Sequence, residues 1–303
     1  MLAVCLNPAW QKTLLFDALS VGGVNRATDL HQCGGGKGVN VARALRTLGD
    51  QPQVALFVGG PAGDQLLAEL HRDGIGTIAV ATQGTTRTCI TVIDELSEHV
   101  TELIEPSAAV RSREMAEMTR QLREAVRQTD GVALCGTFPP GVPESCYAGI
   151  VEQARAAGCP VLLDGYQRVH LALHAGPTVL KLNADELRHL SGRSNLEDAA
   201  FECLTQYPLQ ILAVTDGPRP ACLFTRHASW QFDQPAIRVR NAIGAGDCAS
   251  AILLRELIAG QEPQDAFRAA LAAANASCLT DLPASFRPED AKAFHDQITV
   301  RKL

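Results

Sequence analysis

One short turn of this sequence combines glycines with a carboxylate, the stretch Ile243-Gly-Ala-Gly-Asp247. Apolar residues on one face over positions 250–259 predict a helix behind it, and Gly260 ends that helix. The first backbone N–H groups of such a helix have no partners within it, and with the helix dipole they attract anions. Asp247 adds a base beside this anion site. The combination predicts transfer of a phosphoryl group to a hydroxyl.

Two other interpretations fit the same turn. An ordinary glycine turn before a helix would have this sequence without binding anything. Residues 244–249 also match the dinucleotide fingerprint G-x-G-x-x-G/A, which requires a second strand after the helix. Pro263 instead begins another predicted helix, over 265–279, so the dinucleotide interpretation fails on its context.

A second glycine cluster, Gly34-Gly-Gly-Lys-Gly38, opens a helix predicted over 39–48. It is not a P-loop, because Lys37 is followed by Gly38 rather than by Ser or Thr. Val41 breaks the dinucleotide pattern as well. What remains is a glycine-lined surface that a ligand can approach closely, with one cation.

The elements that position these residues alternate between strand and helix along most of the chain. Such alternation predicts one parallel sheet with helices on both faces, and ligands bind outside the carboxyl ends of its strands. Polar residues stand at predicted strand ends and are expected to share a site there, although each alone would more often cap a helix or form a turn. They are Asn7, Asp164, Asn183, Thr215 and Asp247.

Two parts of the chain depart from this alternation. Residues 88–93 and 99–104 read as a hairpin, and short strands over 12–16 and 25–32 precede the glycine cluster. We expect a small β lid from about residues 8–32 and 85–105, on a single domain that spans 1–303. Residues 220–240 read as three short antiparallel strands, and the alternating stretch 236–240 is the last of them.

The composition is that of a soluble globular protein, with 303 residues, 46% of them hydrophobic and 20% charged. A formal net charge of −6 argues against a general nucleic-acid or membrane surface. The ten cysteines are scattered singly, which predicts reduced thiols. Residues 1–6 lack the features of a signal peptide, and no apolar run is long enough to span a membrane. We therefore expect a cytoplasmic protein with neither nucleic-acid nor membrane partners.

Six motifs, in order over the whole chain, resemble those of the phosphofructokinase B (ribokinase-like) carbohydrate kinases. The first motif is similar to the start of the hexose-phosphate branch, which includes 1-phosphofructokinase and tagatose-6-phosphate kinase. The others are similar to the family's two signatures, its Ser-Gly-x-x-Pro-Pro-Gly loop, its Lys-Pro-Asn-x-x-Glu-Leu motif and its Thr-x-Gly nucleotide loop. They read Asn7-Pro-Ala9, Gly35-Gly-Lys-Gly-Val-Asn-Val-Ala-Arg43, Cys135-Gly-Thr-Phe-Pro-Pro-Gly141, Lys181-Leu-Asn-Ala-Asp-Glu-Leu187, Thr215-Asp-Gly217 and Ile243-Gly-Ala-Gly-Asp247.

The resemblance implies a ribokinase-like fold and an ATP-dependent kinase that uses Mg²⁺ to phosphorylate a sugar hydroxyl. Asp247 would be the general base, and Asn183 and Glu186 would organise Mg²⁺, mainly through water. The backbone of Gly244, Ala245 and Gly246 would form the anion hole. The nucleotide would lie near Lys181, Asn183, Glu186, Thr215, Gly217 and Asn275. The family's lid often makes a dimer contact, so a homodimer through the lid is expected.

The resemblance also predicts the residues that face the sugar. Each of three cations alone would more often be a surface charge, but together Arg26, Lys37 and Arg87 match positions that hold a phosphate already on the sugar. Gln11 stands where the hexose-phosphate branch has Asp, and its amide both donates and accepts, which predicts a different hydroxyl pattern or weaker binding. The full set is Gln11, Arg26, Gly35, Gly36, Lys37, Asn40 and Arg87.

These features favour fructose 1-phosphate as acceptor, followed by tagatose 6-phosphate or fructose 6-phosphate. Two alternatives stay open. The first is a kinase of an unphosphorylated sugar or nucleoside. The second is a catalytically silent sugar-phosphate sensor of the same fold, against which the intact Asp247 and its glycines argue.

Overall fold

The computed structural model describes residues 1–97 and 99–303, which contain fourteen strands and ten α-helices. The strands are β1 (Leu2–Cys5), β2 (Ala9–Phe16), β3 (Asp29–Gly35), β4 (Gln53–Val58), β5 (Gly76–Ala81), β6 (Arg87–Asp94), β7 (His99–Ile104), β8 (Val132–Cys135), β9 (Val161–Asp164), β10 (Val179–Asn183), β11 (Ile211–Asp216), β12 (Arg219–Thr225), β13 (Ser229–Asp233) and β14 (Thr299–Lys302). The helices are α1 (Lys37–Thr47), α2 (Gly60–Arg72), α3 (Ser112–Ala125), α4 (Ser145–Ala156), α5 (His170–Ala175), α6 (Ala184–Ser191), α7 (Leu196–Gln206), α8 (Ala245–Ile258), α9 (Pro263–Ser277) and α10 (Pro288–Gln297).

The main sheet has ten strands in the order β14-β13-β12-β11-β10-β9-β8-β1-β4-β5. The seven strands from β11 to β5 are parallel, and β12, β13 and β14 join antiparallel at one edge. Strands such as β1 and β8 are buried along their whole length, as expected for a parallel sheet with helices on both faces. The predicted α/β class, a parallel sheet covered by helices on both faces, is confirmed.

Two apolar cores cover the two faces of this sheet. On one face α1, α2, α8 and α9 bury side chains such as Leu45 and Phe267, and on the other face α3 to α7 bury side chains such as Met118 and Tyr147. The predicted apolar face of α1 packs here, because Val41, Ala44 and Leu45 follow helical spacing. Helices on both faces leave the strand ends as the place where loops meet.

The segments predicted to form a lid make a separate four-stranded sheet in the order β3-β2-β6-β7. Strands β2 and β6 are parallel, and the outer pairs are antiparallel. Glu98, in the turn of the predicted hairpin, lies outside the described residues. That this small sheet acts as a lid on a single domain stays a prediction.

The predicted strand over 236–240 is wrong. This stretch is irregular, and Val239 at its centre is 53% exposed. The free edge of β13 is instead taken by β14 from the end of the chain, a pairing of distant segments that no local pattern announces. The short helix α5 was not predicted either. In the described part of the chain, no helix has the length and apolar character needed to cross a bilayer.

Candidate active site

The carboxyl ends of neighbouring parallel strands bring the predicted polar residues to one edge of the main sheet. Asp164 is in register with Cys135 on one side and with Lys181 on the other, and Asn183 is in register with Thr215. The N-termini of α1 and α8 also reach this edge, since Lys37 and Asn40 of α1 contact Asp164 and Asp247 respectively. The convergence expected at this edge is therefore present.

The glycine turn begins α8 at Ala245, and Gly244 caps it with φ of 80°. Glycine is needed at 244 because an added Cβ would lie 2.9 Å from the backbone nitrogen of Ala284. At Gly246 an added Cβ would lie 2.8 Å from Nζ of Lys181, so an ammonium group borders the start of the helix. The Ala245 N–H donates within the turn to Ala242, at 3.3 Å. The helix start and this lysine suit an anion.

Asp247 lies in the first turn of α8 and is only 7% exposed. Its Oδ2 accepts a hydrogen bond from Nδ2 of Asn40 at 2.8 Å. Burial raises the pKa of Asp247, and the negative charge of Asp164 adds to this increase. The positive charges of Lys37 and Lys181 and the hydrogen bond from Asn40 lower the pKa in part. A carboxylate whose pKa is raised accepts a proton more readily, which suits a general base.

Asp164 is a fully buried carboxylate between two lysines. Its Oδ1 lies 2.6 Å from Nζ of Lys37, and its Oδ2 lies 3.4 Å from Nζ of Lys181 and accepts from Ser250 at 2.5 Å. Burial opposes its charge, but Lys181 and Lys37 outweigh burial and lower the pKa of Asp164. This carboxylate stays ionised and fixes both ammonium groups beside α8.

Lys37 is held among carboxylates, with its Nζ also 3.6 Å from Oε1 of Glu186. Burial lowers the pKa of Lys37, but Asp164, Asp247 and Glu186 together raise it above its usual value. The lysine is therefore charged and lies between the predicted base and the predicted metal-binding residues. This position differs from a simple clamp on the acceptor's own phosphate.

Arg87 and Arg26 lie at opposite ends of the small sheet. Arg87 is in register with Ala9, at one end of β2, and its Nη2 donates to the carbonyl of Asn7 at 3.2 Å. Arg26 is exposed and precedes Asp29, which pairs with Leu15 near the other end. Six residues of strand span about 20 Å. Within one chain, Arg26 is therefore not brought to Arg87 and Lys37.

The remaining predicted sugar-facing residues line the junction of β2, β3 and α1. Gln11 is 7% exposed, and its Nε2 lies 3.5 Å from Oγ1 of Thr91. Backbone must approach closely here, since a Cβ on Gly35 would lie 2.8 Å from Oε1 of Gln11. Gly36 has φ of 111°, and a Cβ added there would lie 2.8 Å from Sγ of Cys5. Asn40 follows in the first turn of α1.

Two polar residues beside Asn7 were not among the predicted site residues. The side chain of Asn7 donates to Oγ1 of Thr137 at 3.0 Å and accepts from Oγ of Ser107 at 2.8 Å. Thr137 belongs to the 135–141 loop, whose motif could have pointed to it. Ser107 lies in an irregular segment without a pattern, so only the folded chain brings it here.

The predicted nucleotide residues lie on or next to β10, α6, β11 and α9. Asn183 and Glu186 cap α6 reciprocally, with N–H···O distances of 2.8 and 2.9 Å. Gly217, two residues after Thr215, has φ of 58°. No atom lies within 4 Å of a Cβ added at Gly217, so the space there is open. Asn275 is buried, and its Nδ2 has no hydrogen-bond partner among residues 1–97 and 99–303. Across those same residues, no group of three or more His, Cys, Asp or Glu side chains is arranged to hold a metal ion.

This chain is similar to known carbohydrate kinases, and its likeness to a ribokinase confirms the predicted ribokinase-like fold. The family model described as pfkB family carbohydrate kinase matches residues 7–289. A possible 1-phosphofructokinase from Thermotoga maritima is 25% identical, covers 100% of this chain and 99% of its own, and has a TM-score of 0.90. Phosphofructokinase-2 from Escherichia coli, in complex with fructose-6-phosphate, is 24% identical over 98% of each chain, with a TM-score of 0.87. Arabidopsis thaliana ribokinase, complexed with ribose and ATP, is 19% identical over 97% of this chain and 98% of its own, with a TM-score of 0.75.

Proposed function

Because the chain belongs to the pfkB family of carbohydrate kinases, it is a phosphotransferase that acts on a sugar hydroxyl, and we propose that its acceptor is a phosphorylated ketohexose. Fructose 1-phosphate is the leading candidate, with tagatose 6-phosphate or fructose 6-phosphate next. The likeness to a possible 1-phosphofructokinase supports this order. The phosphoryl donor in the proposal is ATP.

In this proposal Asp247 removes the proton from the acceptor hydroxyl. Its burial and its hydrogen bond from Asn40 support that role, since they hold the carboxylate in one orientation with a raised pKa. The backbone N–H groups of Gly244 and Gly246 and the charge of Lys37 stabilise the negative charge that develops on the transferred group, and the Ala245 N–H joins them when it leaves its 3.3 Å contact with Ala242. Fixed donors of this kind are the largest contribution in many transfer reactions.

The observation that carries the choice of a phosphorylated acceptor is the surroundings of Arg87. Its buried Nε has no hydrogen-bond partner within the described residues, while its Nη2 donates to Asn7. The Asn7 carbonyl oxygen that Arg87 contacts would lie 3.8 Å from a Cβ added at Gly36, so Arg87 borders the start of α1, the helix that carries Asn40. A guanidinium with free donors binds phosphate through charge-assisted hydrogen bonds. Thr137, bonded to Asn7, adds a hydroxyl.

The sugar hydroxyls in this proposal meet the amides of Gln11 and Asn40 and the close backbone at Gly35 and Gly36. The Gln11 amide is buried and has a single long contact of 3.5 Å to Thr91, so a sugar without a matching hydroxyl leaves it unsatisfied. Such groups discriminate strongly between sugars that differ in one hydroxyl. The neutral Gln11 therefore selects the acceptor by pairing rather than by charge.

The residues predicted to bind ATP fit a nucleotide. The unpartnered Nδ2 of Asn275 can donate to a ligand, and the open space at Gly217, after Thr215, admits one. Asn183 and Glu186 offer oxygen donors, which suit Mg²⁺ held mainly through water. Mg²⁺, when bound, neutralises charge on the phosphates. Lys181 stays beside Gly246 and balances anionic charge there.

We also propose a homodimer through the small sheet. Its outer strand β7 is exposed along its length and carries apolar Val100, Leu103 and Ile104. Arg26 can then serve a phosphate only from a second copy, because it lies at the far end of its own sheet. Sedimentation of Ile104→Asp tests this proposal. A wild-type protein that sediments as a monomer at micromolar concentration contradicts it.

A screen for ADP release tests the acceptor. Fructose 1-phosphate, tagatose 6-phosphate and fructose 6-phosphate are compared with fructose, ribose and adenosine. The proposal expects turnover with a ketohexose phosphate and little with the other three. Turnover with ribose or adenosine alone would establish the alternative of an unphosphorylated acceptor. Tight binding of a sugar phosphate without ADP release would establish a silent sensor.

A further inference from the structure

A chain of four buried polar side chains leads from α2 to the candidate base. Oε1 of Glu69 lies 3.0 Å from Nη2 of Arg43, and Nη1 of Arg43 donates to Oδ1 of Asn40 at 3.0 Å. Asn40 in turn donates to Asp247 at 2.8 Å. All four residues are at least nine-tenths buried. Arg43 and Glu69 have no place in the transfer step described above, so the chain extends beyond it.

Arg43 determines which way the amide of Asn40 faces. A guanidinium only donates hydrogen bonds, so the amide oxygen must face Arg43 and the amide NH₂ group must face Asp247. In the reversed orientation the amide oxygen would face a carboxylate, and two acceptors repel each other. Removal of Arg43 takes away the donor that holds the amide oxygen, so the amide is held from one side only and can turn out of line with Asp247.

Glu69 holds Arg43 and also holds the end of the small sheet. Oε2 of Glu69 accepts from the N–H of Gly34 at 2.7 Å, and Nη2 of Arg43 donates to the carbonyl of Gly34 at 2.9 Å. Both backbone groups of this β3 residue therefore bind one ion pair. Nη1 of Arg43 also lies 3.4 Å from the carbonyl of Pro283, next to the Ala284 that packs on Gly244.

We propose that Arg43, held by Glu69, is a positioning residue that fixes the Asn40 amide so that it donates to Asp247. The proposal rests on the function of Asp247 as base. The same ion pair ties the end of β3 to the orientation of that base. Neither Arg43 nor Glu69 needs to touch a substrate.

The alternative is a buried ion pair that serves only stability. A structural pair changes the free energy of unfolding, but it leaves the titration of Asp247 unchanged. The other charged groups that face Asp247 are Lys37 from α1, Asp164 from β9 and Lys181 from β10. None of them contacts Arg43, so a change in the titration of Asp247 reports on Asn40.

The test uses Arg43→Lys in the full-length protein. Lysine keeps a positive charge beside Glu69 but lacks the fork that reaches both Glu69 and Asn40. Carbon-13 NMR follows the carboxyl of Asp247 in the ligand-free protein, with the signal assigned by its loss in Asp247→Asn. We expect the pKa of Asp247 to rise by about one unit, since a lost hydrogen bond to the charged form has roughly that size. With ATP and fructose 1-phosphate, kcat should fall about tenfold at pH 7, because the carboxylate of Asp247 loses the contact that holds it in one orientation.

Three further variants make the result specific. Arg43→Met with Glu69→Leu removes both buried charges while it keeps the core filled, and it should raise the pKa of Asp247 in the same direction. Arg255, on α8, forms an ion pair with Asp50, and Arg255→Lys should leave the titration of Asp247 unchanged. In an Asn40→Ala background, Arg43→Lys should add no further shift, because its effect passes through Asn40.

The proposal is overturned if Asp247 titrates alike in the wild type and in Arg43→Lys, or if the two substitutions act additively. Its failure is distinguishable from failure of the proposed base. If only the role of Arg43 fails, Asp247→Asn is inactive, whereas Arg43→Lys has the wild-type pKa of Asp247 and the wild-type kcat. If Asp247 is not the base, Asp247→Asn itself has a normal kcat.

Discussion

Asn40 donates a hydrogen bond to Asp247 at 2.8 Å, across 207 positions of the chain. The bond joins the N-terminal turn of α1 to that of α8, and these are the two helices that the glycine clusters begin. The two motifs are therefore halves of one arrangement. One half supplies the cation and the amide, and the other supplies the proposed base and the proposed anion-binding turn.

Asp247→Asn tests the base. The amide keeps the shape of the side chain but cannot take the acceptor's proton, so kcat should fall about 10²–10⁴-fold. Burial disfavours the charge of Asp247, so the neutral variant should unfold at an equal or higher temperature at pH 7. Kinetics with fructose 1-phosphate and a thermal melt measure both effects.

Asp265→Asn is the matched control, because Asp265 lies in the first turn of α9 and is exposed. This variant should keep wild-type kcat. Near-normal turnover in a well-folded Asp247→Asn protein would rule out Asp247 as the base.

Gly244→Ala tests the geometry of the turn. A left-handed residue other than glycine costs roughly 1–2 kcal/mol. At position 244 the new Cβ also meets the backbone nitrogen of Ala284. Gly260→Ala is the control, because its φ is similar at 82° and no atom lies within 4 Å of the added Cβ. Urea unfolding should show the larger loss for Gly244→Ala, and equal losses would contradict the close packing.

Asp164→Asn tests the buried carboxylate between the two lysines. The folded pKa of Asp164 lies below the unfolded value of about 3.9, so its contribution to stability is present above that pH. The contribution is lost as the pH falls through the folded pKa. The variant should lose about 3 kcal/mol of unfolding free energy at pH 7, and the difference should shrink below about pH 4.

Urea titrations of both proteins from pH 3 to pH 8 measure this difference. Asp50→Asn, in a half-exposed pair with Arg255, should cost about 1 kcal/mol or less and serves as the control. A loss for Asp164→Asn that stays constant down to pH 3 would show that the ionised form of Asp164 does not stabilise the fold.

Much of the fold follows from local sequence signals. Glycines and apolar spacing predict α1 and α8, and buried apolar runs predict the strands whose ends carry Asp164 and Asn183. The stretch 236–240 shows the limit, because its alternation indicates a strand while the available sheet edge is taken by β14. An edge is a property of the folded chain, so no local pattern reveals that it is occupied.

For the site residues, too, the sequence predicts some features and only the folded chain reveals the others. A motif pointed to Lys37, but only the folded chain shows it among Asp164 and Glu186. The separation of Arg26 from Arg87 depends on strand register, which spacing along the chain does not give. Arg43 stood inside the first signature, and its contact with Glu69 appears only when α1 and α2 pack together.

The most direct test of the proposed acceptor is kcat/KM for fructose 1-phosphate against fructose, in the wild type and in Arg87→Ala. Charge-assisted hydrogen bonds are worth about 1.5–3 kcal/mol each, which predicts a wild-type preference on the order of 100-fold for the phosphorylated sugar. Arg87→Ala should reduce that preference to about tenfold or less, whereas Arg72→Ala, on an exposed arginine of α2, should not change it. A wild-type enzyme without this preference, or an Arg87→Ala variant that retains it, would contradict the phosphorylated acceptor.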